Sequence, residues 1–226
     1  MITRQKNQPE NYDSLITDLV DNGWDRSEIR DEVVTLLLAG HETTALMLAY
    51  TVHLLGKNPV VRDQIISTTD KTDIKNPAKS LRQSTLLDRV LKESLRLYPP
   101  AYAIFRQPTE DVMLNGYEIS EGTILCLSQW VTHRDHRLYD SPYEFRPNRW
   151  NSDSLTPPPT GMYFPFAAGP RRCIGERLAL IEGKVVLGKI LQNFTPESFA
   201  EDTLEVIPSL STQPKDPIKI KLKQRN

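Results

Sequence analysis

The stretch from Glu28 to Lys57 sets the tightest limit on how this chain can fold. Asp25 stands three residues before Glu28, the spacing of a helix-opening capping box. Gly56, Lys57, Asn58 and Pro59 close the pattern. About thirty residues at the helical rise span roughly 45 Å, longer than most globular helices. Apolar residues fall on every face: Val33, Val34, Leu36, Leu37 and Leu38, then Leu46, Met47, Leu48, Val52, Leu54 and Leu55. A helix apolar all round has to be enclosed by other elements. In its middle Gly40 weakens the helix, and Thr43 and Thr44 can bond back to earlier carbonyls and bend or open it. Ordinary decoration would explain the threonine pair, whereas Glu42 amid so much leucine points to a deliberate opening at a site. His41 and Glu42 also oppose a membrane-spanning reading of Val33 to Gly56, since each costs several kcal/mol near a bilayer centre.

The remaining pattern changes character at Pro99 and Pro100. Before them, helices are expected from Asn11 to Asp21, from Pro59 to about Ser67, and from Thr85 to Tyr98. Ser84 can cap the last of these, with Leu87, Leu91, Leu95 and Tyr98 as its apolar stripe. The polar run Thr68 to Ser84 reads as a solvated connection. After the prolines the stretches are short and alternating. Asn115 and Gly116 predict a hairpin turn between Asp111–Leu114 and Tyr117–Ile119, and Glu121 with Gly122 turns again before a strand at Thr123–Leu127. His133 to Thr160 is too irregular for long elements, and such a loop usually serves function or wraps another element. A helix follows from about Ile174 to Asn193, with Leu178, Ile181, Val185 and Ile190 expected at the core. Short strands and turns fill 194–226.

Between the irregular loop and that helix lies the segment Phe166 to Gly175, FAAGPRRCIG. It holds one cysteine, Cys173, in a basic, glycine-punctuated turn facing a helix N-terminus, whose partial positive charge favours an anionic sulfur. This suits a metal ligand or a nucleophile. With only Cys126 and Cys173 present, a disulfide framework is excluded and a reducing, intracellular setting fits. Cys126, in a strand, reads as a small buried hydrophobe. A zinc site could recruit Cys126, His133 and His136, but paired close spacings are missing. A phosphate-cradling or phosphatase loop lacks its Lys-Ser/Thr and its Cys-to-Arg spacing. A haem-thiolate remains: glycines admit the porphyrin, and Arg171 can meet a propionate. A net charge of -1 argues against a nucleic-acid partner.

Here the chain resembles the cytochrome P-450 family. Phe166, Gly169, Arg171, Cys173 and Gly175 match its F-x-x-G-x-R-x-C-x-G haem signature. Ala39 to Thr44 is similar to the family's A-G-x-D/E-T-T motif, Glu93 and Arg96 to E-x-x-R, and Phe145 to Trp150 to the segment carrying its meander arginine, here Arg149. A single short motif would carry little weight, but these occur in order along the chain.

The resemblance implies the C-terminal part of the P-450 fold, mainly α with small β-sheets, as a single partial domain over 1–226 lacking the N-terminal half. It implies haem b with Cys173 as axial iron ligand, cradled by Phe166, Gly169, Arg171, Gly175 and Arg106. Glu42 and Thr43 would line the dioxygen pocket and deliver protons through water. Glu93, Arg96 and Arg149 would form a buried structural triad. Ala39, Gly40, Ala101, Tyr102, Ala103, Ile104, Phe105 and Leu210 would line the substrate. The implied activity is monooxygenation of an apolar organic substrate by dioxygen, with electrons from a redox protein, without nucleic acid and without a transmembrane segment in this chain. The implied setting is the cytoplasm, or the cytosolic face of a membrane given an anchor elsewhere. The alternatives are a catalytically incomplete fragment with weak or no haem binding, for which the scarcity of helices to enclose the long one speaks, and a haem-thiolate isomerase or dehydratase.

Overall fold

The computed structural model describes residues 14–70, 77–151, 154, 158, 160–199 and 204–225. The expected start of the first helix, 11–13, lies outside them. The chain divides into two compact units, Met1–Glu42 and Thr43–Asn226.

In the first unit α1, Leu15–Asp21, is capped by Ser14, whose Oγ accepts the Thr17 N–H. Gly23, at φ +81°, ends the turn that follows, a conformation that favours glycine. Helix α2, Arg26–Lys57, opens on the expected capping box: Glu28 N–H donates to Asp25 Oδ1 and Asp25 N–H to Glu28 Oε2. The expectation of an enclosed helix fails over this half. Val34, Leu37 and Leu38 are 47%, 66% and 68% exposed, because no element among the described residues of the unit covers that face. The helix also continues unbroken through Gly40, Glu42 and Thr43, so the anticipated local opening is not formed. Among the described residues α2 is the one helix long and apolar enough to cross a membrane by length and composition.

In the second unit the later turns of α2 belong to a protein core, with Met47, Tyr50, Val52, Leu54 and Leu55 all buried. Around them come α3, Pro59–Asp70, α4, Pro77–Arg82, and α5, Thr85–Leu97. Helix α4 lies within the run read as a solvated connection. Its Leu81 supplies the apolar contact that the polar composition concealed, being buried against the last long helix. Helix α5 behaves as its stripe predicts, burying Leu87, Leu91 and Leu95 under a Ser84 cap.

Past the prolines the chain forms antiparallel two-stranded ribbons. Strand β1, Ile104–Arg106, pairs with β4, Leu125–Leu127, and β2, Val112–Leu114, with β3, Tyr117–Ile119. Asn115 at φ 51° and Gly116 at φ 86° make the tight turn expected between β2 and β3. Cys126 is exposed rather than buried, since the β1–β4 ribbon leaves that face uncovered. Helix α6, Gln129–Thr132, and a 3-10 turn at Pro147–Trp150 punctuate the irregular segment.

Helix α7, Glu176–Asn193, follows the cysteine loop. Its buried stripe is Gly183, Leu187, Gly188 and Leu191, whereas Leu178 is exposed. Of the expected contacts Ile190 does pack against the core, but the buried stripe is turned from the rest because two glycines allow close approach. A methyl at Gly183 would lie 2.7 Å from Met47 Cε, and one at Gly188 would lie 2.4 Å from Leu81 Cδ2. Ribbons of β5, Phe194–Ser198, with β8, Ile220–Gln224, and of β6, Val206–Pro208, with β7, Thr212–Pro214, complete the fold. The architecture is mainly α with small β-sheets.

Candidate functional site

Helix α5 projects Glu93 and Arg96 from successive turns into a fully buried ionic cluster. Arg96 Nε donates to Glu93 Oε2 at 3.0 Å and Nη2 to Oε1 at 2.9 Å. Arg149, delivered by the Pro147–Trp150 turn, donates from Nε to Glu93 Oε1 at 3.0 Å. Trp150 Nε1 and the Arg146 backbone N–H complete the carboxylate's partners, both at 2.9 Å. The remaining N–H groups of Arg96 reach the carbonyls of His133, Pro142 and Glu144, at 2.7, 2.6 and 3.1 Å. All five guanidinium donors are therefore used. Arg149 binds the carbonyls of Asp140 and Ser141 at 2.9 and 3.2 Å. Three distant stretches of an otherwise irregular segment are fastened to one helix by charge-assisted bonds.

Packed beside this cluster is an aromatic group centred on His133, which the sequence offered only as a zinc ligand. His133 stacks on Tyr163 at 5.2 Å and meets Tyr139 and Phe164 edge-on. Burial, with Arg96 and Arg134 adding like charge, pushes the His133 pKa down to about 3. Burial likewise holds the Tyr163 phenol well above its ordinary range and moves Tyr139 to about 12. The His133 ring accepts the Phe164 N–H on Nε2 at 3.0 Å, so it fastens the chain just before the cysteine loop. Its place in an aromatic-rich irregular segment is the sequence signal for this packing role, which the zinc reading of His133 did not use.

The loop itself is open. Cys173 is exposed and its N–H donates to Phe166 C=O at 2.9 Å, closing the turn. Gly169 at φ +72° and Ala167 at φ +63° take left-handed backbone there, the latter without glycine's freedom. A methyl on Gly175 would meet Cys173 Sγ at 3.9 Å, and α7 begins at the next residue with no side-chain cap. Phe166 is half-buried against the core, while Arg171 is exposed.

Glu42 and Thr43 are half-buried on consecutive positions of α2, and Ala39 and Gly40 are exposed there. Tyr102, Ala103 and Ile104 are half-buried, and Ala101 is exposed. Phe105 and Leu210 stand 56% and 94% exposed. Arg106 is exposed, with Nη1 on its neighbour's carbonyl, Phe105 C=O, at 2.8 Å. Among the described residues no three His, Cys, Asp or Glu side chains gather as a metal cluster, so Cys126, His133 and His136 do not assemble a zinc site.

Cys173 is an exposed thiol three residues before the first residue of α7. The family model of cytochrome P450 matches residues 2–222 of this chain. The chain belongs to the cytochrome P450 family. It is 35% identical over 216 residues to human cytochrome P450 4V2, covering 93% of this chain and 41% of that protein. Mouse cytochrome P450 3A13 is 38% identical over 210 residues, covering 88% of this chain and 41% of its own length. The structure of the cytochrome P450DA heme domain superposes with a TM-score of 0.89 at 29% identity, covering all of this chain and 52% of that one. This P450 chain thus spans about two-fifths of the length of the curated relatives it matches. The P450 fold accounts for the mix of long helices and small ribbons, and P450 proteins hold haem through a cysteine thiolate.

Proposed function

We propose that the chain binds haem b through Cys173 and works as a haem-thiolate monooxygenase on an apolar organic substrate, with dioxygen and electrons from a redox protein. The observation that carries this reading is the Cys173 loop. Its one thiol is exposed, the glycine at 175 leaves the sulfur approachable, and no rival protein ligands gather nearby among the described residues. Bound there, the haem supplies reductive activation of dioxygen, with the thiolate donating electron density to the metal.

The chain's own residues then have separable tasks. Cys173 and the Phe166–Gly175 backbone hold the group, Phe166 adding apolar contact and Arg171 and Arg106 a positive charge for each propionate. Glu42 and Thr43 hold and pass protons, a carboxyl and a hydroxyl one position apart serving as donor and relay. Ala39 and Gly40, the stretch Ala101 to Phe105, and Leu210 offer small or apolar surface to a substrate. Glu93, Arg96 and Arg149 position the irregular segment that leads into the loop. The intact Glu42 and Thr43 pair favours monooxygenation over isomerase or dehydratase chemistry, which needs no external protons or electrons.

A second reading, weak haem retention by this chain alone, is favoured by the exposure of Phe105, Ile174, Leu178 and Leu210. Titrating the purified chain with haemin separates the two. Saturation near one haem per chain, lost in Cys173→Ala, supports the first; a shallow rise identical in both proteins supports the second.

A further inference from the structure

Helix α6 and its C-cap carry two fully buried polar side chains four residues apart, Gln129 and His133, joined by the His133 N–H to Gln129 C=O bond at 2.9 Å. Residues so spaced share one helical face. Neither amide atom of Gln129, nor His133 Nδ1, has a protein hydrogen-bond partner among the described residues. Three orphaned polar atoms on one buried face are the condition that an internal water meets, since such waters make about three bonds to otherwise unsatisfied groups.

The other ring nitrogen is committed. His133 Nε2 accepts the Phe164 N–H at 3.0 Å, so it carries the lone pair and the neutral ring bears its proton on Nδ1. Stacking on Tyr163 and edge contacts with Tyr139 and Phe164 fix the ring plane. Arg96 fixes the backbone by binding His133 C=O at 2.7 Å. Downstream, Phe164 C=O accepts the Ala167 N–H at 3.0 Å, and Phe166 C=O accepts the Cys173 N–H at 2.9 Å. Between these bonds sits Ala167 at φ +63°, a conformation that persists only when its surroundings over-determine it. The side nearer Phe164 is held by His133.

We infer that His133 is a positioning residue for the cysteine loop: as the Nδ1–H tautomer it takes the Phe164 amide on Nε2 and hands its own N–H to the Gln129 amide through a buried water. It thereby links the ionic cluster around Arg96 to the turn that presents Cys173. The inference goes beyond the haem-thiolate reading, and its tests need no haem, so the two can fail separately.

The test uses the whole chain. In the wild type, His133 nitrogen shifts should report a protonated Nδ1 and an unprotonated Nε2, with a water cross-peak at Nδ1–H that Gln129→Leu removes. A protonated Nε2, or no water contact at Nδ1–H, overturns the assignment. Hydrogen exchange at Phe164 and Cys173 should quicken about tenfold in His133→Phe and return to within about threefold of wild type in His133→Gln, whose Oε1 restores the acceptor. Unchanged exchange in His133→Phe, or equal exchange in the two variants, overturns the positioning role. If His133→Phe does not fold, the wild-type tautomer and the His133→Gln exchange still decide.

Discussion

The ionic cluster around Glu93 and the loop around Cys173 are built oppositely. In the cluster every Arg96 donor and both Glu93 oxygens are used, all by groups of this chain, and nothing charged reaches solvent. In the loop the chemistry-bearing side chains, Cys173 and Arg171, are exposed, and Ala167 takes left-handed backbone at φ +63°. The contrast teaches where binding capacity lies. A region that satisfies itself can only support, and a region left open at a helix N-terminus can accept something from outside.

The largest effect should come from breaking the closed region. Glu93→Gln leaves two buried guanidinium groups short of charge, and removing one partner of a buried pair costs about 3–5 kcal/mol. Against the stability of a typical domain of about 5–15 kcal/mol, thermal unfolding should fall by many degrees or folding should fail. A loss no greater than that of an exposed charge swap would break the comparison.

Next comes the packing of α7 against α4. Gly188→Val drives new methyls into Leu81, already 2.4 Å from a bare Cβ, and should cost about 1–3 kcal/mol by denaturant melts. Gly175→Ala adds a methyl only at ordinary contact distance from the sulfur and should cost less in stability.

A third effect is in pH. His133 folds neutral with a pKa near 3, against 6.5 ordinarily, so the unfolded chain binds a proton that the folded one does not. Stability from this group is present above 6.5 and is lost as pH falls towards 3, at about 1.4 kcal/mol per pH unit. Urea melts of His133→Gln should show a flatter acid limb over that window. Asp135, held down to about 2 chiefly by its Arg137 hydrogen bond, contributes stability that is lost lower on the scale, as pH falls from 3.8 towards 2, and it remains in both proteins.

The smallest effects should be at the exposed thiols. Cys126→Ser and Cys173→Ala should each change stability by less than about 0.5 kcal/mol, as surface substitutions do. Only the second should alter haem binding, which sharpens the contrast between a residue that supports the fold and one that presents chemistry.

Much of this was legible in the sequence for definite reasons. The Asp25–Glu28 box, the Ser84 cap, the Asn115–Gly116 turn and the Leu87, Leu91, Leu95 stripe are local signals, and each forms. Helix α4 was hidden because one buried leucine in a polar run carries no period. The stripe of α7 was misplaced because its contacts are made by Gly183 and Gly188, which no apolar pattern counts. The enclosure of α2 fails where its exposed leucines have no covering element among the described residues of their unit. The motif residues of the site are explicit, but the partnership of His133 with Phe164 joins positions 31 apart in sequence and needed coordinates.

The most direct measurement is the carbon-monoxide spectrum of the reduced, haem-loaded chain. The wild type should give the red-shifted Soret band of thiolate ligation, and Cys173→Ala should lose it while keeping its melting temperature. A thiolate band that survives in Cys173→Ala, or a loaded wild-type chain without that band, would contradict Cys173 as the ligand.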